Sequence, residues 1–594
     1  MSEPLAHYTW DLTCLYSSPD ACELEQDLSS TPEQATLFRN RYHGTLATLS
    51  AAALATALTE YELLQEQMAK PQVYAQLLFA ADSSLAAHQI LAQRTMEFGN
   101  VLSRETLFFE LELIALDDTQ YAVLMDHPEL APYRHFLTSL RKFKPHTLTE
   151  REEQLLKQKT LTGIDAFCRL FDELAASYTF RYPVPGEERD CTGEELLALL
   201  HHPEPAIREQ AFGTFLDRHA ADHVTYGAVF NTVALDHAQE LELRTYTGGP
   251  MEPTNMGNEL SAAMVEQLMT VTEGNYPLAQ RYFRLKAKLL GLPQFKNTDL
   301  YAPVGESDQR YALAEARDLV LAAYDSFSPE FSAIADRFFS EGRIDTLPRP
   351  GKSGGAFCMG VSPHQPPYVL TNFTGTLRDV ATLAHELGHG IHFVLAQEQR
   401  LVNYHPPLPL AETASVFGEM LLTTHLLKQG PDRQTRISLL CAAIEDIIAT
   451  TCRQVLLTRF EEKLHHERSN GLVTTDRICD LWFTENAKLF GSDVTMIEPY
   501  RWGWTYISHF IHTRFYCYAY TFAELLVLSL YALYQQQGAP FIPIYRQILA
   551  SGGSQSPATT VAPAGISLET PQVWQQGYAL LANLISELEE TIAK

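Results

Sequence analysis

The sequence predicts a mainly α protein with a small β element. Three observations predict it. Apolar residues recur three to four apart in one segment after another, the helical spacing. Proline and glycine fall at short breaks between those segments. Alternating, β-prone residues are confined to two short stretches, 178–185 (YTFRYPVP) and 368–373 (YVLTNF). No fixed internal period appears, so a helical solenoid is not supported.

Bulk properties narrow the class. At 594 residues the chain can bury a large core, and length alone allows several domains. The net charge of −28 argues against a nucleic-acid surface, which needs a basic stripe. Nine cysteines without C-x-x-C pairs argue against a disulfide framework and for a reducing, cytoplasmic setting. The N-terminus, MSEPLAHYTWDLT, lacks the basic and apolar regions of a secretory signal. The longest largely apolar stretch, Leu525 to Leu533, is too short to span a bilayer. It reads as a buried core helix, and no membrane association is expected.

In chain order, Ser30-Thr31-Pro32-Glu33 has the form of a helix start. Helical patterns run from there to about Ala176, with a break at Asp126-His127-Pro128-Glu129. Tyr178 to Pro185 reads as a ribbon ending in Pro185-Gly186. It suggests a boundary near 190 between an N-terminal helical lobe, 1–190, and a catalytic region, 191–594. Helices resume at Thr192 and again from Arg208. Asn258 to Leu290 is helical with a break at Gly274-Asn275, and Arg281, Arg284 and Lys286 read as a solvated face. Glycines at 351, 354, 355 and 360 precede the second β-prone stretch. Such a sheet would offer an edge to an extended peptide, although a glycine turn feeding the next helix is the plainer alternative. Pro431 to Phe490 suggests two more helices. Residues 552–565 read as a loop, and Gln575 to Ala593 as a closing amphipathic helix.

The chemistry is concentrated in Asp379 to Ala396 (DVATLAHELGHGIHFVLA), where His385-Glu386-Leu387-Gly388-His389 forms H-E-x-x-H on a helical pattern. Residues four apart share one helix face, so two imidazoles can grip one metal ion. Glu386 then lies beside the metal, where a base for metal-activated water is needed. The spacing excludes the metzincin extension, because His392 and Leu395 stand where that pattern needs Gly and His. After Pro406-Pro407-Leu408-Pro409, a second helical pattern carries Glu412 in its first turn and Glu419 two turns on. Glu412 could complete a His-His-Glu set; the alternative is an acid favouring a helix N-terminus.

H-E-L-G-H-x-x-H followed by E-T-A-S-x-x-x-E resembles the thimet oligopeptidase/oligoendopeptidase F family of zinc peptidases, and most closely the oligoendopeptidase F branch. WDLTCLY at 10–16, GKSGGAFC at 351–358, HFIHTRFYCYAYTFAELL at 509–526 and SGGSQSP at 551–557 fit the same resemblance. It implies two helical lobes around a deep channel, with the zinc-binding helix and a small β element at its floor. It implies one Zn²⁺ per chain on His385, His389 and Glu412, with Glu386 as general base. A stretch like GKSGGAFC lines the cleft in the family, which makes Gly355 and Phe357 substrate-binding candidates. Family tyrosines from the 509–526 region donate to the oxyanion, with a histidine nearby. Carried over, Tyr518 is the first candidate and His509 the next. Relatives have a tyrosine where Ile511 stands, so one donor is absent or supplied by Tyr516. Aromatic runs of this kind also build cores.

The function expected is hydrolysis of internal bonds in short oligopeptides. The alternatives are a zinc carboxypeptidase or dipeptidase on a related fold, and a non-catalytic peptide-binding protein with a structural metal. The intact Glu386 argues against the last, because a structural site needs no base.

Overall fold

The computed structural model describes residues 8–184, 187–305 and 310–594. Helices dominate, and among the described residues strands are confined to two small sheets. The chain forms two compact units, each assembled from separated stretches. The first comprises Met1–Glu150, Gln309–Gln429 and Leu533–Ser567; the second comprises Arg151–Asp308, Gly430–Ala532 and Leu568–Lys594.

The first unit opens with three long helices, Cys22–Tyr42, Ala51–Ala81 and Ala86–Ala115. The expected helix start at Ser30 is corrected: the helix begins at Cys22, and Pro32 lies inside it. Leu24, Leu28, Thr31, Ala35 and Phe38 are buried along it, and their burial carries the helix through the proline. The later break appears as expected, with a helix ending at Met125 and a 3₁₀ segment at Pro128–Tyr133.

The unit's sheet has three strands. Ile344–Asp345 runs parallel to Tyr368–Leu370, which pairs antiparallel with Phe357–Met359. The register sets Phe357 opposite Leu370 and Met359 opposite Tyr368. The WDLTCLY stretch braces this sheet. Trp10 lies 6.4 Å from Phe357 and 6.2 Å, edge-on, from Tyr368, between ring centroids. Phe357–Met359 is an edge strand.

The second unit contains the hairpin Phe180–Val184 with Glu187–Cys191, near the expected position. The expected turn at Pro185-Gly186 lies outside the described residues, as does the MSEPLAH segment. The break at Gly274-Asn275 separates helices Ala262–Gly274 and Tyr276–Leu289. Lys286 does not lie on a solvated face: it is fully buried against Glu445 at 2.6 Å. An ammonium tolerates such burial only when paired. Pro431 to Phe490 holds three helices rather than two, Arg433–Thr450, Cys452–Ser469 and Thr475–Phe490. The apolar stretch around Leu525 belongs to a longer helix, Cys517–Gln537. Its 21 residues reach membrane-spanning length and composition, but 78% of its most apolar window is buried inside the protein. In the first unit, the expected loop at 552–565 contains a short helix, Pro557–Val561. All nine cysteines are free.

Candidate active site

The helix Leu377–Ala396 begins with a capping box in which Thr376 Oγ1 accepts from the Asp379 N–H, while the Asp379 carboxylate accepts from the Thr376 N–H. Its apolar face, including Val380, Leu383, Leu387 and Ile391, is fully buried. The polar positions between them are thereby held on one side. A second helix, Thr413–Lys428, crosses it closely, with Glu412 at its N-cap.

Glycine makes that crossing possible. A Cβ on Gly388 would stand 2.5 Å from the Ala414 carbonyl oxygen and 2.6 Å from Ser415 Cα. On the facing helix, a Cβ on Gly418 would stand 2.1 Å from Tyr324 Oη and 3.0 Å from the Ala384 carbonyl oxygen. The Tyr324 hydroxyl donates to that Ala384 carbonyl at 2.7 Å, and Tyr545 donates to Thr413 O at 2.7 Å. Both helices are thus pinned next to the residues that matter.

The crossing brings His385, His389 and Glu412 together, with one ligand atom from each within 4.8 Å of the others. Glu412 Oε2 lies 3.4 Å from His385 Nε2 and 3.3 Å from His389 Nε2. The two Nε2 atoms are 3.2 Å apart. Ser415 donates to the same Glu412 Oε2 at 2.6 Å. Burial works against the Glu412 charge, but His389, His385 and Ser415 together outweigh it and hold the carboxyl down at about 2. At His385 burial likewise opposes charge, and Glu419, then Glu412, raise the imidazole to about 9. Glu419 Oε1 lies 2.6 Å from His385 Nδ1. Sequence reasoning noted Glu419 without assigning it a role; its seven-residue spacing from Glu412, two turns along one helix, was the available signal.

Glu386 is 6% exposed, and its Oε2 has no hydrogen-bond partner among the described residues. Burial pushes its carboxyl up, against the pull of His385 and His389. The strand Phe357–Met359 packs near this helix, and the Glu386 charge adds to burial in pushing the Cys358 thiol up. Phe357 is half-buried in that strand. Gly355, two residues earlier, is exposed at φ +75°, a left-handed backbone, and its carbonyl accepts from Asn372 Nδ2 at 2.9 Å. His392 is not among the three converging ligands. It is buried, its pKa lowered to about 3 chiefly by burial, and it bonds the Ala411 backbone.

The other candidates lie in the second unit. His509 stacks on Tyr516, with centroids 5.6 Å apart, and its Nε2 is 3.3 Å from the Tyr520 hydroxyl. Tyr516, immediately before the helix Cys517–Gln537, and Tyr520, in its first turn, meet edge-on at 4.9 Å. Tyr518 points elsewhere: it is fully buried, and its hydroxyl accepts from Asn258 Nδ2 at 2.8 Å. That bond leaves the phenol proton available to donate. The i, i+4 spacing to Tyr516 was the signal that would have singled out Tyr520.

A family model described as Peptidase family M3 matches residues 198–580, and one described as Oligopeptidase F matches 112–180. Group B oligopeptidase PepB of Streptococcus agalactiae is 26% identical, over 100% of this chain and 99% of its own. Oligopeptidase PepF of Bacillus subtilis is 24% identical, over 100% of this chain and 88% of its own. Among solved structures, oligoendopeptidase-F from Enterococcus faecium has the same fold at a TM-score of 0.71, with 23% identity over 96% of this chain and 98% of that one. A Chlamydophila abortus structure superposes at a TM-score of 0.87, with 23% identity over 99% of each chain. With more than half of its length matched by one family model, the chain belongs to peptidase family M3 and is a peptide-hydrolysing enzyme.

Proposed function

We propose that the chain is a zinc-dependent endopeptidase acting on short, unfolded oligopeptides, with His385, His389 and Glu412 as metal ligands and Glu386 as general base. The observation that carries this reading is the convergence of three ligand atoms within 4.8 Å beside a buried carboxylate. Two imidazoles and one carboxylate suit zinc and leave a coordination position open. Bound zinc would supply a Lewis acid that polarises the scissile carbonyl and acidifies water.

The protein's own residues do the rest. Glu386 accepts a proton from the attacking water and delivers it to the leaving nitrogen. Burial raises its proton affinity, which suits a group that must both take and return a proton. Glu419 orients the His385 ring. The edge strand Phe357–Met359, entered through Gly355, receives the extended substrate by strand addition. For the oxyanion we assign Tyr518 with His509, since Tyr518 has an orienting bond from Asn258 and a proton to give. A second reading places Tyr520 in that role, and the observation favouring it is its contact with His509.

The division into a helical region, 1–190, and a catalytic region, 191–594, belongs to this proposal; the separate family matches at 112–180 and 198–580 support it. So does a cytoplasmic setting, which suits nine free cysteines. Zinc analysis together with product masses from a graded peptide-length series tests the whole. Internal fragments and one zinc per chain are expected; exclusive release of terminal amino acids or dipeptides would overturn the endopeptidase assignment.

A further inference from the structure

The second unit holds a partly open cavity of about 80 Å³ that the proposed chemistry does not use. Its walls are largely apolar, with Phe212, Phe283, Leu456 and Phe490 among them. Set into this lining is Arg453. Its guanidinium donates to the Tyr301 hydroxyl and, at 3.4 Å, to the Tyr506 hydroxyl. It forms no ion pair with any carboxylate among the described residues. Glu445, also in the wall, is already matched: it pairs with Lys286 at 2.6 Å and accepts from Tyr282. The cavity therefore carries one uncompensated positive charge in apolar surroundings, an arrangement that is costly unless an anion joins it.

The hydrogen-bond inventory points the same way. A phenol that accepts from Arg453 keeps its own O–H to donate. The guanidinium and two phenol protons thus form a convergent donor set for one small anion. A single free charge matches a monoanion; a phosphate ester, with about two charges near neutrality, would call for a second free cation. The walls suit an apolar body attached to that anion. Tyr506 is three residues before His509, so one short segment carries both a wall of the cavity and the histidine of the tyrosine cluster.

We propose that this cavity binds the carboxyl terminus of an oligopeptide, with the α-carboxylate on Arg453, Tyr301 and Tyr506 and an apolar terminal side chain against the wall. The identity of the ligand as a peptide rests on the peptidase reading; the carboxylate chemistry does not.

The test is calorimetry on the full chain, zinc-loaded and chelator-treated, with N-acetyl-Leu-Phe, its C-terminal amide, and octanoate. The acid is expected to bind at least about tenfold more tightly than the amide in both metal states, because the amide leaves Arg453 uncompensated. Arg453→Met should abolish that preference. Tyr301→Phe with Tyr506→Phe should reduce it about three- to tenfold at nearly constant volume, and this pair decides the matter if the arginine variant does not fold. Equal binding of acid and amide, or a preference that survives Arg453→Met, overturns the proposal. Octanoate binding as tightly as the peptide acid overturns the peptide assignment. A preference seen only with zinc bound places the carboxylate on the metal. That result overturns this site while leaving the peptidase reading intact, which hydrolysis by Glu386→Gln tests separately.

Discussion

Glu419 Oε1 lies 2.6 Å from His385 Nδ1, on the side of the ring away from Glu412. The carboxylate accepts the Nδ1 proton, which fixes the tautomer and leaves the Nε2 lone pair for a metal. Glu419→Ala is expected to weaken zinc binding by about 10- to 100-fold without unfolding the protein. Competition against a chromogenic chelator measures this, and an unchanged Kd would remove Glu419 from the site.

The close crossing at Gly388 predicts a packing defect. In Gly388→Ala the new methyl would meet Ala414 O and Ser415 Cα, both backbone atoms that cannot rotate aside. Overpacking of this kind costs about 1–3 kcal/mol. The two helices that carry the ligands must part, so Tm and zinc retention should fall together. A variant with wild-type Tm would show that the crossing has slack.

Glu386→Gln preserves shape but removes the proton acceptor. Turnover is expected to fall at least about 100-fold while zinc content stays at the wild-type level. Near-normal turnover with metal bound would sink the general-base assignment.

Much of this site was legible in the sequence, for a physical reason. The metal set is built from local spacing: His385 and His389 are one helical turn apart, and Glu412 stands at the start of the next long helix. Periodicity and capping report such features directly. What depended on tertiary packing was harder to read. Pro32 inside a helix is decided by the burial of Leu28 and Ala35 on either side of it. The burial of Lys286 needs Glu445, 159 residues away. The grouping of the chain into two interleaved units likewise depends on contacts between distant stretches, which no local pattern records. Gly388 and Gly418 were visible as residues, but their role as contact points needs both helices at once.

Glu461 sets a pH dependence of stability. It is 1% exposed, and its Oε1 accepts from the Phe515 N–H at 2.9 Å. Phe515 adopts φ 56°, a costly left-handed backbone for an aromatic residue. Burial pushes the Glu461 carboxyl up to about 8, against the Phe515 N–H and Arg514. The folded state therefore keeps a proton that the unfolded chain releases near pH 4.5. Stability from this group is complete below that value and is lost as pH rises to about 8. Buried His219 and His465, lowered to about 4 and about 3, act in the opposite sense, but only below about pH 6.5. Between about pH 6.5 and 8, Glu461→Gln should flatten the decline in stability by up to about 1.4 kcal/mol per pH unit. Denaturant unfolding at several pH values measures it. Parallel profiles for wild type and variant would show that Glu461 is ionised in the folded state.

The tyrosines separate two readings of the oxyanion donor. Tyr518→Phe removes one hydroxyl with little change in volume. It leaves Asn258 Nδ2 without its acceptor, so stability should drop by about 1–3 kcal/mol under either reading. Turnover distinguishes them. If Tyr518 donates to the oxyanion, kcat and kcat/KM fall together by about two to three orders of magnitude, because the bond forms only in the transition state. Tyr520→Phe, which loses its contact with His509, then changes them little. The opposite pattern, a large loss in Tyr520→Phe with turnover preserved in Tyr518→Phe, moves the donor to the face shared by His509, Tyr516 and Tyr520. In that case His509→Ala should reproduce the Tyr520→Phe loss and add little to it in the double variant, since the two groups would act as one unit. Zinc content measured beside each rate keeps a lost metal from being mistaken for a lost donor.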